Sequence, residues 1–126
     1  MKSFICAVII AALMICGGIA FNINIRSISD SLTAECDEIN TAAADGDFDA
    51  ALEKILELSD EVKRRKTTLA SVINHENIDE IEVCISELTG YAENGNKAET
   101  AVHCLRLKHL LEHLPENYSV TAQNIL

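Results

Sequence analysis

Tryptophan is absent from this chain, proline occurs once, at Pro115, and the 126 residues hold only three phenylalanines and two tyrosines. Glycine is nearly confined to an apolar amino-terminal run (Gly17, Gly18) and to two turns (Gly46, Gly95). Helix breakers are therefore scarce, and Ala, Leu, Ile, Glu and Asp dominate, a composition that favours helices. Positive charge is scarce as well. Ten Lys and Arg stand against twenty Asp and Glu, a net charge of -10. That argues against a nucleic-acid partner, whose phosphates need a basic surface. Five cysteines are present, but no CxxC pair or Cys–His spacing gives zinc or thioredoxin chemistry a framework.

What the chain does have is one long stretch without charge, residues 3–25, between Lys2 and Arg26. At about 1.5 Å per residue it covers roughly the 30 Å core of a bilayer. Residues 1–26 are expected to be a single-pass transmembrane anchor held in the lipid bilayer. Gly18-Ile19-Ala20 is a passable signal-peptide cleavage site, but the run is long for a signal core. Ile23, Ile25 and Ile28 also continue a helical stripe beyond that site, so an uncleaved anchor is the expectation. Cys16 follows Ile15, which is too large for a lipoprotein signal. Lys2 and Arg26 flank the run on opposite sides. An N-terminal anchor followed by an acidic domain places that domain outside the cytoplasm at the cell membrane.

The remaining hundred or so residues suffice for one compact domain. Their apolar positions fall at helical steps. Ile28, Leu32, Cys36, Ile39 and Ala43 form a first stripe, in a helix that continues the span. Asp45-Gly46-Asp47 stops it, and Asp47 caps the next helix. Phe48, Leu52, Ile55, Leu58 and Val62 follow on one face, and the helix is expected to run past Lys66 toward Ile73. A third helix is expected near Asn77, with Asn77 and Glu80 as a capping box. It carries Ile78, Ile81, Ile85, Leu88 and Ala92. Asn94-Gly95-Asn96 turns the chain again, Asn96 and Glu99 repeat the box, and Ala101, Cys104, Leu107, Leu111 and Leu114 form the last seam. Pro115 ends it, and residues 115–126 read as a flexible tail. Shifting the chain by the distance from Gly46 to Gly95 superimposes the stripes: Leu32 on Ile81, Cys36 on Ile85, Ile55 on Cys104, Leu58 on Leu107. Residues 27–114 are thus expected to form two helical hairpins that bury one another's stripes as an antiparallel four-helix bundle in an all-α fold.

Asn74-His75-Glu76-Asn77-Ile78-Asp79-Glu80-Ile81-Glu82, then Leu88 and Tyr91, then Leu107-Lys108-His109-Leu110-Leu111, resemble a family of short bacterial proteins, domain-of-unknown-function family 4363. The resemblance covers nearly the whole chain. It implies one N-terminal membrane helix and a helical remainder. It implies no activity, no cofactor and no catalytic residues.

Several side-chain groups have the spacing of chemistry. His109 and His113 lie one helical turn apart, as metal ligands do, but no third or fourth ligand accompanies them, and a solvated helix end explains them as well. His75 with Glu76 and Asp79 lacks a nucleophile and an oxyanion donor, and a helix-start role suits it better. Asp45, Asp47 and Asp49 begin like a calcium loop, but Gly46 comes too early and the bidentate Glu is missing. Lys63, Arg64, Arg65 and Lys66 form the basic block. Ion pairs with Asp60 and Glu61 on a solvated face are the first reading, and head-group contact at the membrane-proximal end is the second. Cys36 and Cys104 replace apolar residues of the other hairpin, so they read as core hydrophobes that share a layer and can form a disulfide in an oxidising compartment.

No set of these residues makes an active site, and no cofactor is expected. The leading expectation is a membrane-anchored interaction or accessory subunit without catalysis, whose partner is another membrane or cell-surface protein. It predicts an apolar strip left over after bundle packing. The alternatives are a ligand-sensing bundle, which predicts a pocket between helices, and a small metal-binding protein or hydrolase, which predicts clustered perturbed ionisable groups.

Overall fold

A computed structural model describes residues 1–71 and 73–114. They form four helices: α1 (Lys2–Ala44), α2 (Phe48–Ala70), α3 (His75–Glu93) and α4 (Lys97–Glu112). The fold is all-α, an antiparallel bundle in which α1 packs on α2 and α4, and α3 packs on the same two helices. The expected tail, with Pro115, lies outside the described residues.

The expected anchor and the first bundle helix are one element. Gly17 and Gly18 do not interrupt α1, and the helix runs from the uncharged stretch into the bundle without a break. Residues 1–17 are exposed, and this helix is long and apolar enough to cross a membrane. From Ile25 on, Ile28, Leu32, Cys36, Ile39 and Ala43 are buried, which is the expected stripe extended by one turn at its lower end.

Both hairpin turns are built alike. Gly46 and Gly95 have φ of 80° and 65°, the left-handed region that a side chain disfavours. The amides of Gly46 and Asp47 reach the carbonyls of Ala43 and Ala42, and those of Gly95 and Asn96 reach Ala92 and Tyr91, the same pattern at the same offset. Asp47 and Asn96 then cap α2 and α4 by accepting from the amides of Ala50 and Glu99. The relation extends to contacts between the hairpins. Gly46 faces Lys97 while Gly95 faces Phe48, the pairing that a two-fold relation between the halves requires.

Three sequence expectations are corrected. First, α2 stops at Ala70 and does not reach Ile73. Second, α3 starts at His75, and its cap is Asn74, whose side chain accepts from the Asn77 amide. Ile73 before the cap and Ile78 four residues after it are both buried, the hydrophobic staple that fixes the start one turn early. Third, on α4 Thr100 takes the seam position expected of Ala101. Thr100 is fully buried and Ala101 is exposed, because the seam Thr100, Cys104, Leu107, Leu111 lies one step around the helix from it. Each fully buried Leu or Ile contributes about 1.5–3 kcal/mol, and Leu32, Ile39, Ile55, Leu58, Ile81 and Leu107 fill the centre.

Candidate functional site

Helix α4 is apolar on two sides. Its inner seam enters the core, and on the opposite side Ala98, Ala101, Val102 and Leu105 face outward. Val102 is 57% exposed and Leu105 is 70% exposed. A shallow groove along this face is lined by Val102, Leu105, Arg106, Lys108, His109 and Glu112. Arg106 and Lys108 flank it but are tied sideways, Arg106 to Glu80 at 3.1 Å and Lys108 to Asp37 at 3.0 Å. These carboxylates raise both cations above their ordinary pKa, chiefly by accepting a hydrogen bond from them. The pairs bolt α4 to its two neighbours and hold its outer face toward solvent. Val102 and Leu105 were readable as apolar residues off the seam, but which side they face depends on the packing of α1 and α3.

Beneath that face lies a layer of thiols. Ser29 donates to the Leu111 carbonyl at 2.7 Å, fixing the register of α1 against α4. Moving seven residues up each antiparallel helix, two turns, leads to Cys36 and Cys104 on the same faces. Cys84 of α3 joins them, its Sγ 3.5 Å from the carbonyl of His103, the residue before Cys104. All three are buried, and all three are free thiols. Burial is the main cause that pushes them up, Cys36 and Cys104 to about 12 and Cys84 to about 11. They are protonated core groups in the folded protein.

His103 sits over this layer. Its Nδ1 is 2.8 Å from the Glu99 carbonyl, its Nε2 is 2.8 Å from a Glu87 carboxylate oxygen, and the Tyr91 ring lies 4.7 Å away. Both polar partners are acceptors, so the two bonds coexist only when each ring nitrogen carries a proton. Sequence spacing alone does not single out His103. Glu99 lies one turn before it on α4, whereas Glu87 and Tyr91 lie on α3 and become its neighbours only in the fold.

The basic block is largely ion-paired. Arg64 and Arg65 both bond Glu61, and Lys66 reaches Glu82 of α3 at 2.9 Å. The Arg65 hydrogen bond, aided by both guanidinium charges, lowers the Glu61 carboxyl below the usual range. Across the α1–α2 interface Glu35 behaves in the opposite way. Burial first, then the charges of Glu61, Glu38 and Glu57, raise its carboxyl, and Arg64 offsets part of this. One Glu35 oxygen is buried without a hydrogen-bond partner.

His109 and His113 are brought together edge-on, with ring centroids 4.3 Å apart. Among the described residues no group of three or more His, Cys, Asp or Glu is placed to hold a metal ion. Of the acidic trio at the first turn, Asp47 is the α2 cap and Asp49 lies in the first turn of α2, where a carboxylate suits the helix dipole. His75 and Glu76 open α3, with Glu76 placed equally well for the dipole.

No curated protein and no solved structure matches this chain. A family model does match, over residues 19–125, and so spans the whole bundle together with the end of the uncharged run. The chain belongs to the family described as domain of unknown function DUF4363.

Proposed function

We propose that this protein is a single-pass membrane protein whose helical domain lies outside the cytoplasm and serves as an interaction or accessory subunit, without a catalytic step of its own. The observation that carries this reading is the outer strip of α4, Ala98, Ala101, Val102 and Leu105, which remains exposed after the bundle has packed. Its neighbours Arg106 and Lys108 are engaged with Glu80 and Asp37. The strip therefore offers a partner apolar area with little competing charge to desolvate. The partner fitted to it is another membrane protein with an exposed apolar helix face, held at the same height by its own anchor. The titration-shifted acids and thiols support the non-catalytic part. They are accounted for by burial and by ion pairs on separate faces, and the shifted thiols point inward.

The test places a photo-crosslinking residue at Leu105 in the full chain, in native membranes. A discrete adduct is expected, lost when Val102→Glu is added and retained with Leu56→Glu. Leu56 is 64% exposed on α2 and serves as the control. Equal adducts with either glutamate would sink the assignment of α4 as the contact face.

A further inference from the structure

The two ends of the bundle differ in how they meet α1. The upper end closes at the glycine turns. The lower end overlaps the uncharged run. Lys54 of α2 reaches Glu38 of α1 at 3.1 Å, and Lys66 reaches Glu82 of α3 at 2.9 Å, which sets the antiparallel registers. Followed downward, the first register brings the end of α2, Ala70 and Ser71, level with about residue 22 of α1, and Asn74 and His75 follow directly after it at the start of α3.

Burial along α1 gives the same picture independently. Residues 1–17 are exposed, and then Gly18, Phe21 and Asn22 are half-covered and Ile25 is fully buried, a single helical face. Phe21 packs on the core cluster that contains Leu69, Ile73, Ile78 and Leu114. The base of the bundle therefore covers part of the stretch that carries no charge.

The free length is too short for the task. Residues 3–17 reach only about 22 Å at the helical rise, against about 30 Å of hydrocarbon. Tilting α1 shortens its reach along the bilayer normal further. The span must use residues beyond 17, and the unbroken helix carries the bundle base with it.

We propose that the base of the bundle, formed by Phe21, Ala70, Ser71, Asn74 and His75, is seated among the lipid head groups, so that the domain binds the phospholipid surface directly and not through its span alone. This rests on the reading of α1 as a transmembrane anchor. Glu76 and Asp79, exposed at the start of α3, set the depth. Carboxylates are costly in hydrocarbon and tolerated among head groups. By the same registers Lys63, Arg64 and Lys66 stand level with residues 26–29 and share a height with Arg26. These cations lie about 6–10 Å above the base, in the plane where phosphates of anionic lipid are met.

The chain has no tryptophan, so single-tryptophan variants report position without background. The full chain is reconstituted in vesicles of phosphatidylcholine and phosphatidylglycerol with brominated acyl chains. Three variants are compared: Ile10→Trp in the span, Ser71→Trp at the base and Asp49→Trp at the far end, with circular dichroism verifying equal helix content. Ala70→Trp replaces Ser71→Trp if the latter loses helix. The expected result is strong quenching of Ile10→Trp, a blue-shifted and substantially quenched base tryptophan, and a water-like, unquenched Asp49→Trp. A water-like, unquenched base tryptophan beside a quenched Ile10→Trp would overturn the seating and leave the anchor intact. An unquenched Ile10→Trp would overturn the anchor reading and the seating together.

Discussion

Glu35 shows most directly how a single side chain carries a cost in this fold. Its carboxyl is pushed above the usual range, by burial first and then by neighbouring carboxylates. A folded-state pKa above the unfolded one means that the folded protein holds this proton more tightly. Glu35 therefore favours folding in acid and opposes it once pH rises through its folded value. Glu35→Gln removes the charge, and the expected outcome is a higher melting temperature at neutral pH. The gain should shrink as pH falls to about 4, toward the ordinary carboxylate range. Thermal melts of the two proteins across pH check this, and a gain that grows in acid would contradict it. The sequence does not show this strain, because Glu61 and Glu57 belong to another helix. The seam residues were legible, since burial of Leu32, Ile39, Leu58 or Leu107 follows from helical spacing alone. Thr100 was not, since the alanine beside it is the more apolar of the two and draws the apparent stripe one step around the helix.

At the scale of the element, caps and turns were readable where the signal is local. Asp47 and Asn96 follow a glycine that must adopt positive φ, and both cap as their positions imply. The α3 start was misplaced because Asn74 and Asn77 are equally good caps by type. The choice falls to Ile73 and Ile78, which are buried only when the bundle assembles. The thiol layer is a second product of assembly, set by the register of α1, α3 and α4. With Cys36, Cys84 and Cys104 buried and their titration raised to about 12, 11 and 12, their thiolate fraction near pH 8 is minute. A thiol reagent is expected to leave all three unmodified in the folded protein in detergent and to modify them at the rate of unfolding. Mass spectrometry after timed labelling measures this, and rapid native labelling of any of the three would show that the layer is open.

At the scale of the whole molecule, the bundle and a helix able to cross a membrane were both legible, because each is a matter of composition and period. The outer strip of α4 and the depth of the bundle base were not, because both depend on inter-helix register. Outward orientation of the domain has a direct test. Asp49→Cys at the exposed far end should react with a membrane-impermeant maleimide on intact cells, while the buried native thiols stay silent. Reaction only after lysis would place the domain in the cytoplasm. Gel mobility should match 13.8 kDa, whereas a loss of about 2 kDa would mean cleavage after Ala20. The continuity of α1 then has a mechanical meaning. A helix with no hinge between span and domain is a ruler and a shaft. The register of Ser29 against Leu111 puts Leu105 level with residue 35, and so fixes it about 20 Å above the bundle base. A partner of the kind proposed would have to offer its own contact at that altitude. Under the proposed anchoring, any twist of the span within the bilayer would swing the α4 face through the same angle, and the direction in which the domain looks along the membrane would be set inside the lipid.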